Sequence, residues 1–430
     1  MACRRIRTMS TTFVVSLVVG ACAGGEPPAD PGRSEVPEAM AAFDSANALW
    51  DNPERTGADM EESANLLERA VQLDPDFAMA HVYLAQQDAW IHQNWDRTPE
   101  RAARSLAAAQ KAVALAPDLS EAHAAMGSYY YRIAKDYEQA LAHYKHAQEL
   151  KPGDAAALRM TGYVARRAGR LDDAVALLEE AATLSVDRAS AWDLGNTYAM
   201  MGRYDEARAA YQEAHDTAPD HWQPPHTLAW LDVDERGDLT ALRALLDAAE
   251  GGYVGNRWWL AMVDQDWAAA VAAMEAPGAD PFSGAYGLTP RGLLRGLAYR
   301  RMGDETSART EFETARQMME EQVAETPDDP RPYLSLGLAL AALGMKDEGI
   351  AAGRKGVELL PTQRDALIGP NSQWRLMEIY ATAGEPELAL AELESILAGP
   401  LPGGAPTMGL DPWLYTLADN PRFKELTGTD

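Results

Sequence analysis

The sequence repeats itself about every 34 residues, with small, large and aromatic side chains returning at fixed offsets. Two copies carry the full pattern: Leu194, Gly195, Tyr198, Ala207, Tyr211, Ala214 and Pro219 in one, and Met126, Gly127, Tyr130, Ala140, Tyr144, Ala147 and Pro152 in the other. Two more read Gly296, Tyr299, Ala308, Phe312 and Ala315, and Tyr333, Leu336, Gly337, Leu340, Gly349, Gly353, Gly356 and Pro361. Small residues let two helices cross closely, aromatic residues fill the space between pairs, and proline ends the second helix. The pattern predicts stacked helical hairpins.

These positions resemble tetratricopeptide repeats. The resemblance implies an all-α fold, a right-handed superhelical α-solenoid of about nine helical hairpins between Pro37 and Gly399. Weaker copies cover Pro37 to Pro75, Ala78 to Pro117 with an insertion at Trp95, Ala155 to Val186, Trp222 to Ala248, and Trp374 to Ile396. The frame breaks between Gly251 and Pro281, where Trp258, Trp259 and Trp267 predict a degenerate hairpin.

The amino terminus has the pattern of an export signal. Arg4, Arg5 and Arg7 precede a short apolar stretch that ends in small residues. This stretch is too short for a transmembrane helix, which needs about 17 to 25 apolar residues. The segment from Val19 to Cys22 resembles the lipobox of bacterial lipoproteins, which implies lipidation of Cys22. The alternative is an ordinary secretory signal that leaves Cys22 as a free thiol.

Residues 23–36 are rich in Gly and Pro, which predicts a flexible tether reaching at most about 50 Å. We therefore expect a signal peptide over 1–21 and a membrane tether over 22–36. Beyond the tether we expect an amino-terminal repeat array over 37–250, a degenerate hairpin over 251–286, a carboxy-terminal array over 287–400 and a cap over 401–430. Ala23 follows the lipobox where an Asp would argue for inner-membrane retention, so the resemblance favours the periplasmic face of the outer membrane.

Charge and composition exclude several function classes. The formal net charge of −27 repels the phosphate backbone, so we expect no nucleic-acid partner. Both cysteines, Cys3 and Cys22, lie at the amino terminus, which leaves the body without a disulfide framework or a cysteine-based zinc site. The Walker, His-Glu-x-x-His and Gly-x-Ser-x-Gly motifs are missing from the sequence. The chain is therefore expected to be no enzyme and to need no cofactor or metal.

Two weak chemical patterns have simpler explanations. His143 and His146 share a helix face, a spacing that can bind a metal, but surface histidine pairs are usually solvated. The run from Asp232 to Asp238 suggests a calcium loop, yet Arg236 and Arg243 stand where oxygen ligands are required. An active site hidden in Gly251 to Tyr286 is a further alternative that no residue set supports.

The last third is similar to the carboxy-terminal repeat arrays of bacterial serine/threonine kinases and adenylate cyclases. The similarity rests on Ala342 to Pro361, Ile379 to Gly399, Asp411 to Leu417 and Asn420 to Phe423. Those arrays are protein-interaction or sensory appendages, and kinase motifs are missing from this chain. The resemblance implies an appendage-like use without catalysis.

The first helix of each hairpin should face the concave side of the superhelix. Extending the repeat frame places aromatic, arginine and other polar residues there: Tyr131, Arg132, Arg159, Tyr163, Arg166, Trp192, Asn196, His226 and Trp230. Aromatic residues and arginines dominate interface hot spots, so this set predicts a groove for a protein or peptide partner, although large aromatics also fill repeat interfaces. Asp193 replaces an asparagine of the carboxylate clamp known from such repeats, which disfavours a carboxy-terminal carboxylate as ligand.

The sequence thus predicts a non-catalytic cell-envelope lipoprotein that scaffolds a complex. It would be bound to the membrane through a lipid on Cys22. The alternative is a solute- or glycan-binding lipoprotein that stacks sugars on Trp90, Trp95, Trp222, Trp230, Trp258, Trp259 and Trp267.

Overall fold

The architecture comes from a computed structural model. It describes residues 33–52, 55–94, 96–185, 188–219, 221, 223–249, 252–283, 287–400 and 403–429. The predicted signal peptide, Cys22 and most of the predicted tether lie outside the described residues, as do Trp95 and Trp222.

The described residues form ten antiparallel helical hairpins, one more than the approximate number expected from the sequence. The first five pairs are α1 (Pro37–Trp50) with α2 (Gly57–Leu73), α3 (Ala78–Asn94) with α4 (Pro99–Leu115), α5 (Ser120–Tyr129) with α6 (Tyr137–Leu150), α7 (Ala155–Arg167) with α8 (Leu171–Leu184), and α9 (Arg188–Met200) with α10 (Tyr204–Thr217). The next five are α11 (Gln223–Arg236) with α12 (Thr240–Ala248), α13 (Val254–Val263) with α14 (Trp267–Glu275), α15 (Arg291–Met302) with α16 (Glu305–Glu325), α17 (Pro330–Ala342) with α18 (Lys346–Leu359), and α19 (Gly369–Thr382) with α20 (Pro386–Leu397). The predicted all-α repeat superhelix is confirmed.

The recurring small residues do what the sequence pattern predicted. Within the hairpin α9–α10, a Cβ on Gly195 would lie 2.5 Å from the ring of Tyr211. The same relation joins Gly296 of α15 to Phe312 of α16, again at 2.5 Å. Each aromatic ring therefore lies directly on the backbone of the facing helix, which sets how closely the two helices approach.

The less regular parts extend the same stack. A π-helical turn, Tyr130–Ala134, continues α5. The predicted degenerate hairpin is α13 and α14, and it is followed by a two-stranded ribbon of β1 (Phe282–Ser283) and β2 (Leu288–Thr289). The chain ends in α21 (Ala405–Gly409), a 3₁₀ helix (Pro412–Leu417) and α22 (Pro421–Thr427), which pack on α19, α20 and α11.

The stack winds far enough for its later hairpins to contact its earlier ones. Arg97, after α3, lies 3.3 Å from Asp329, which caps α17. Arg167, at the end of α7, lies 2.8 Å from Asp365, just before α19. Near the carboxy terminus, Asp234 of α11 accepts hydrogen bonds from the Thr407 hydroxyl at 2.5 Å and from a backbone N–H at 3.2 Å. The superhelix is therefore joined to itself by contacts between hairpins distant in the sequence.

Among the described residues, no helix is both long enough and apolar enough to cross a lipid bilayer.

Candidate functional site

The predicted groove residues lie on the first helices of the hairpins or directly after one of them. First helices of successive hairpins contact each other, as α3 does with α5 and α7 with α9, which places first helices on the side where the stack curves inward. The nine predicted residues lie on three first helices, α7, α9 and α11, and on the π-helical turn that extends α5. They form a row across four consecutive hairpins.

Three of the predicted residues converge on Asp193. Asp193 is fully buried on α9, and the hydroxyl of Tyr163 donates a hydrogen bond to it. The guanidinium of Arg159 lies 3.8 Å from the same carboxylate, and Arg166 donates to the Asp193 backbone carbonyl at 3.2 Å. Burial and the negative charge of Asp193 raise the pKa of Tyr163, which keeps its hydroxyl protonated.

These contacts explain why Asp193 disfavours the binding of a ligand carboxylate. Asp193 places a carboxylate of this chain among the groups that would otherwise be available to a ligand carboxylate. The cations of Arg159 and Arg166 also stack on the ring of Tyr163, with distances of 5.8 and 5.3 Å to its centroid. This part of the row is held rigidly between α7 and α9.

Tyr131 and Arg132 lie on the π-helical turn after α5. Tyr131 is buried, and Arg132 is half-buried and donates a hydrogen bond to Gln93 of the preceding hairpin. The guanidiniums of Arg132 and Arg167 lie 5.2 and 5.6 Å from the Tyr131 ring centroid. The ring therefore contacts two cations, and the ring quadrupole attracts each of them.

Trp192 and Asn196 lie on α9. The indole N–H of Trp192 donates to the Thr227 hydroxyl of the next hairpin at 3.2 Å. The side-chain oxygen of Asn196 accepts from the Tyr211 hydroxyl at 2.9 Å. Both side chains keep part of their surface exposed.

His226 and Trp230 lie on α11 and pack on the degenerate hairpin. The ring of His226 stacks on Tyr253 at 5.4 Å and contacts the Asn256 amide at 3.0 Å. Burial lowers the pKa of His226, and the hydrogen bond with Asn256 opposes this effect only in part. The lowered pKa favours the neutral ring at physiological pH. Trp230 packs on Trp259 with 4.9 Å between ring centroids.

Each predicted groove residue therefore has a structural partner. Tyr131 and Arg166 are buried, whereas the other seven are half-buried. The sequence left packing and partner binding open as alternatives, and the contacts show that these residues do pack between helices. The half-buried members keep edges that a partner could contact.

The tryptophans of the glycan-binding alternative pack against protein. Trp258 is buried and donates to the Leu294 carbonyl at 3.0 Å, and Trp90 packs edge-on against Trp50. Trp267 lies under the guanidinium of Arg301 at 4.8 Å. Among the described residues, Trp90, Trp230, Trp259 and Trp267 are half-buried and Trp258 is buried.

The two weak metal patterns are accounted for by other contacts. The rings of His143 and His146 lie 5.8 and 4.4 Å from that of His123. Asp232 pairs with Arg208 at 2.8 Å. Across the described ranges, no group of three or more His, Cys, Asp or Glu side chains is arranged to hold a metal ion.

Sequence reasoning missed the charged residues that meet where distant hairpins touch. We call the inter-turn cluster the set Arg97, Arg132, Lys135, Arg167, Asp329, Arg331 and Asp365. Most of its basic members lie at or just after the end of a first helix, where basic residues are common for local reasons. The sequence therefore carried no sign of their convergence.

The repeat family itself matches the sequence directly. Tetratricopeptide repeats match residues 124–191, 189–221 and 293–364. These parts of the chain are tetratricopeptide repeats. The matched ranges contain the hairpins that carry most of the predicted groove, and also α15 to α18.

Several solved structures of tetratricopeptide-repeat proteins are similar to this chain. A thermophilic one from Thermus thermophilus is 23% identical, with 45% of this chain and 98% of that chain covered and a TM-score of 0.40. YrrB, a TPR protein with an unusual peptide-binding site, is 19% identical, with coverage of 44% and 91% and a TM-score of 0.31. The pilF protein of Pseudomonas aeruginosa is 17% identical, with coverage of 55% and 89% and a TM-score of 0.34. No curated protein matched the chain.

Proposed function

We propose that this protein is a non-catalytic scaffold whose inner face binds a segment of a partner protein. The observation that carries the proposal is the row of half-buried aromatic and arginine side chains on four consecutive hairpins. Such side chains supply most of the binding energy in protein interfaces. Tetratricopeptide repeats, which match this part of the chain, support an interaction role.

The contacts of the row favour binding because they fix its side chains in advance. Tyr163 is held by Asp193, Trp192 by Thr227, and Trp230 by Trp259. A side chain that is already ordered loses little conformational entropy when a partner covers it. The partner would contact the exposed edges of these rings and leave the contacts between hairpins intact.

The test is affinity crosslinking in intact cells followed by mass spectrometry. A tagged protein is compared with the triple variant Tyr163→Ala, Trp192→Ala and Trp230→Ala. Partners captured by the unmodified protein should be lost from the variant, and full retention of the partner would contradict the proposal. Because these rings pack between helices, the variant must first show a helical circular dichroism spectrum and a cooperative melting transition.

A second set of variants leaves the aromatic side chains in place. Arg132→Gln and Arg159→Gln remove charge from the inner face, whereas the control Arg208→Gln removes charge from α10, a second helix. Arg208 is similarly half-exposed and pairs with Asp232 and Glu235. Weaker partner capture by the inner-face pair with unchanged capture by the control would support a groove on the first helices.

The envelope location is a separate part of the proposal and rests on the sequence alone. The basic start, short apolar stretch and lipobox-like segment support lipidation of Cys22 and attachment to the periplasmic face of the outer membrane. The variant Cys22→Ser should lose the mass of the lipid from its amino-terminal peptide and appear in the soluble fraction. Membrane retention of that variant would contradict the lipid anchor.

A further inference from the structure

The inter-turn cluster carries more positive charge than its own carboxylates balance. It contains five cations, Arg97, Arg132, Lys135, Arg167 and Arg331, and two carboxylates, Asp329 and Asp365. The whole chain has a net charge of −27. A concentration of positive charge in such an acidic protein runs against its overall composition and requires an explanation.

Lys135 is the cation that the fold accommodates least well. It follows the π-helical turn in a left-handed conformation, with φ of 53°. Six other hairpins place a glycine at the equivalent turn, namely Gly169, Gly202, Gly237, Gly303, Gly344 and Gly384, each with positive φ. A lysine pays a conformational cost there that glycine avoids, and strained residues of this kind cluster at functional sites.

The surroundings of Lys135 are repulsive as well. The side chain is half-buried, and among the described residues it forms no ion pair. Burial lowers the pKa of Lys135 well below its usual value, and the positive charges of Arg167, Arg97 and Arg132 lower it further. Asp365 opposes this effect, but that carboxylate already contacts Arg167 and Tyr137.

Arg97 shows the same shortage of acceptors. Its Nη1 lies 3.3 Å from Asp329 and its Nη2 donates to the Gln93 carbonyl at 3.0 Å, but its Nε is buried without a hydrogen-bond partner among the described residues. Burial lowers the pKa of Arg97 to about 10, and Arg331 and Arg167 contribute in the same direction. Asp329 is shared, because Arg331 lies 2.6 Å from the same carboxylate. A donor that lacks an acceptor in a buried place costs stability unless a ligand supplies one.

We propose that the inter-turn cluster is a phosphate-binding site, with Lys135 and Arg97 as its principal donors. A phosphate group offers several acceptor oxygens pointing in different directions, which suits ammonium and guanidinium donors that come from separate hairpins. Its negative charge would offset the excess positive charge of the cluster. Because Arg331 belongs to a later hairpin than Lys135 and Arg97, the bound anion would also strengthen the junction between distant hairpins.

Isothermal titration calorimetry of the full folded body with inorganic phosphate tests this site. Sodium chloride at equal ionic strength is the control for screening. We expect one saturable phosphate site, and binding about tenfold to a hundredfold weaker in Lys135→Gln, as removal of a charged hydrogen bond predicts. Lys135→Arg keeps the charge and should retain most of the affinity. Glycerol phosphate as a second probe distinguishes a site for the free ion from one that accepts a phosphomonoester.

The matched control is Lys151→Gln. Lys151 is an exposed lysine that pairs with Glu121 and Asp154 at 2.9 and 3.0 Å, so its loss should leave phosphate binding unchanged. Failure of both phosphate probes to bind the unmodified protein would overturn the proposal. So would equal phosphate affinity in Lys135→Gln and the unmodified protein. Circular dichroism melting of each variant identifies any loss of binding that is due to unfolding.

Discussion

Asp365 and Arg167 form an ion pair of 2.8 Å with both side chains almost completely excluded from solvent, although five complete hairpins, α9 to α18, lie between them along the chain. Tyr137 donates a hydrogen bond to the same carboxylate. The backbone N–H of Ala366 donates to the Arg167 carbonyl at 2.8 Å. Side-chain and backbone contacts therefore coincide at one point of the junction.

We expect Asp365→Asn to destabilise the protein by about 3–5 kcal/mol, because Arg167 would remain buried without its counter-ion. Asparagine can still accept the backbone hydrogen bonds of Leu367 and Ile368, which Asp365 accepts at 3.0 and 2.9 Å. The local turn should therefore survive while the charge is lost. Urea denaturation measures the change, and the exposed Asp172→Asn serves as the control.

Removing both charges should lower the free energy of unfolding by less than removing one of them. In the double variant Arg167→Met and Asp365→Asn, no uncompensated cation remains in the junction. We therefore expect the double variant to be more stable than the sum of the two single changes predicts, by about 1 kcal/mol or more. A double-mutant cycle measured by denaturation provides this coupling energy, and strict additivity would show that the pair contributes nothing.

Lys135→Gln should stabilise the protein when phosphate is absent. The change removes a half-buried cation that Arg167, Arg97 and Arg132 repel, while leaving the backbone conformation equally strained. The expected gain is about 1 kcal/mol, the usual size of a stabilising substitution at a site that serves function. Thermal unfolding in phosphate-free buffer measures it, and a loss of stability would show that Lys135 supports the fold.

The same comparison has a defined pH dependence. The folded-state pKa of Lys135 lies below its usual value of 10.5, so its folded form releases the proton first as pH rises. Between these two pKa values the unfolded chain holds more protons, and stability increases with pH. The advantage of Lys135→Gln should therefore shrink as the pH approaches 10.5. Lys135→Arg does not titrate in this range and should show no such convergence.

The close helix crossings can be tested with two glycines. Gly195→Ala would place a Cβ 2.5 Å from the Tyr211 ring, which should cost about 1–3 kcal/mol through overpacking. In Gly255→Ala, in the first turn of α13, the new Cβ meets no atom within 4 Å. This change should raise the free energy of unfolding by about 0.5–1 kcal/mol through helix propensity. Melting temperatures of both variants test this difference, since equal shifts would show that the contact with Tyr211 is unimportant.

The hairpins were predictable because their signal is local. Gly195 and Tyr211 are sixteen positions apart, and the same pairing of a glycine and an aromatic residue recurs as Gly127 with Tyr144 and Gly296 with Phe312. The places of Tyr163 and Trp192 on first helices followed from the same frame. Their packing partners, Asp193 and Thr227, also lie within the next unit, but the sequence pattern does not show which side chains will bond to each other.

The contact between Arg167 and Asp365 could not be predicted from the sequence. Whether two distant hairpins meet depends on small rotations between neighbours that accumulate over the intervening units, and the repeat pattern does not specify those rotations. Lys135 illustrates the same limit. Its place at a glycine position is visible in the sequence, but the cations around it come from other hairpins.

The junction changes how this array can vary in length. An open solenoid can gain or lose a unit, because each unit contacts only its neighbours. In this chain, one added or deleted hairpin between α8 and α18 would rotate and translate Asp365 away from Arg167 by the step of a whole unit. The buried charges on both sides would then lose their partners at once. The number of intervening hairpins is therefore fixed by electrostatics, much as strand number is fixed in a closed barrel.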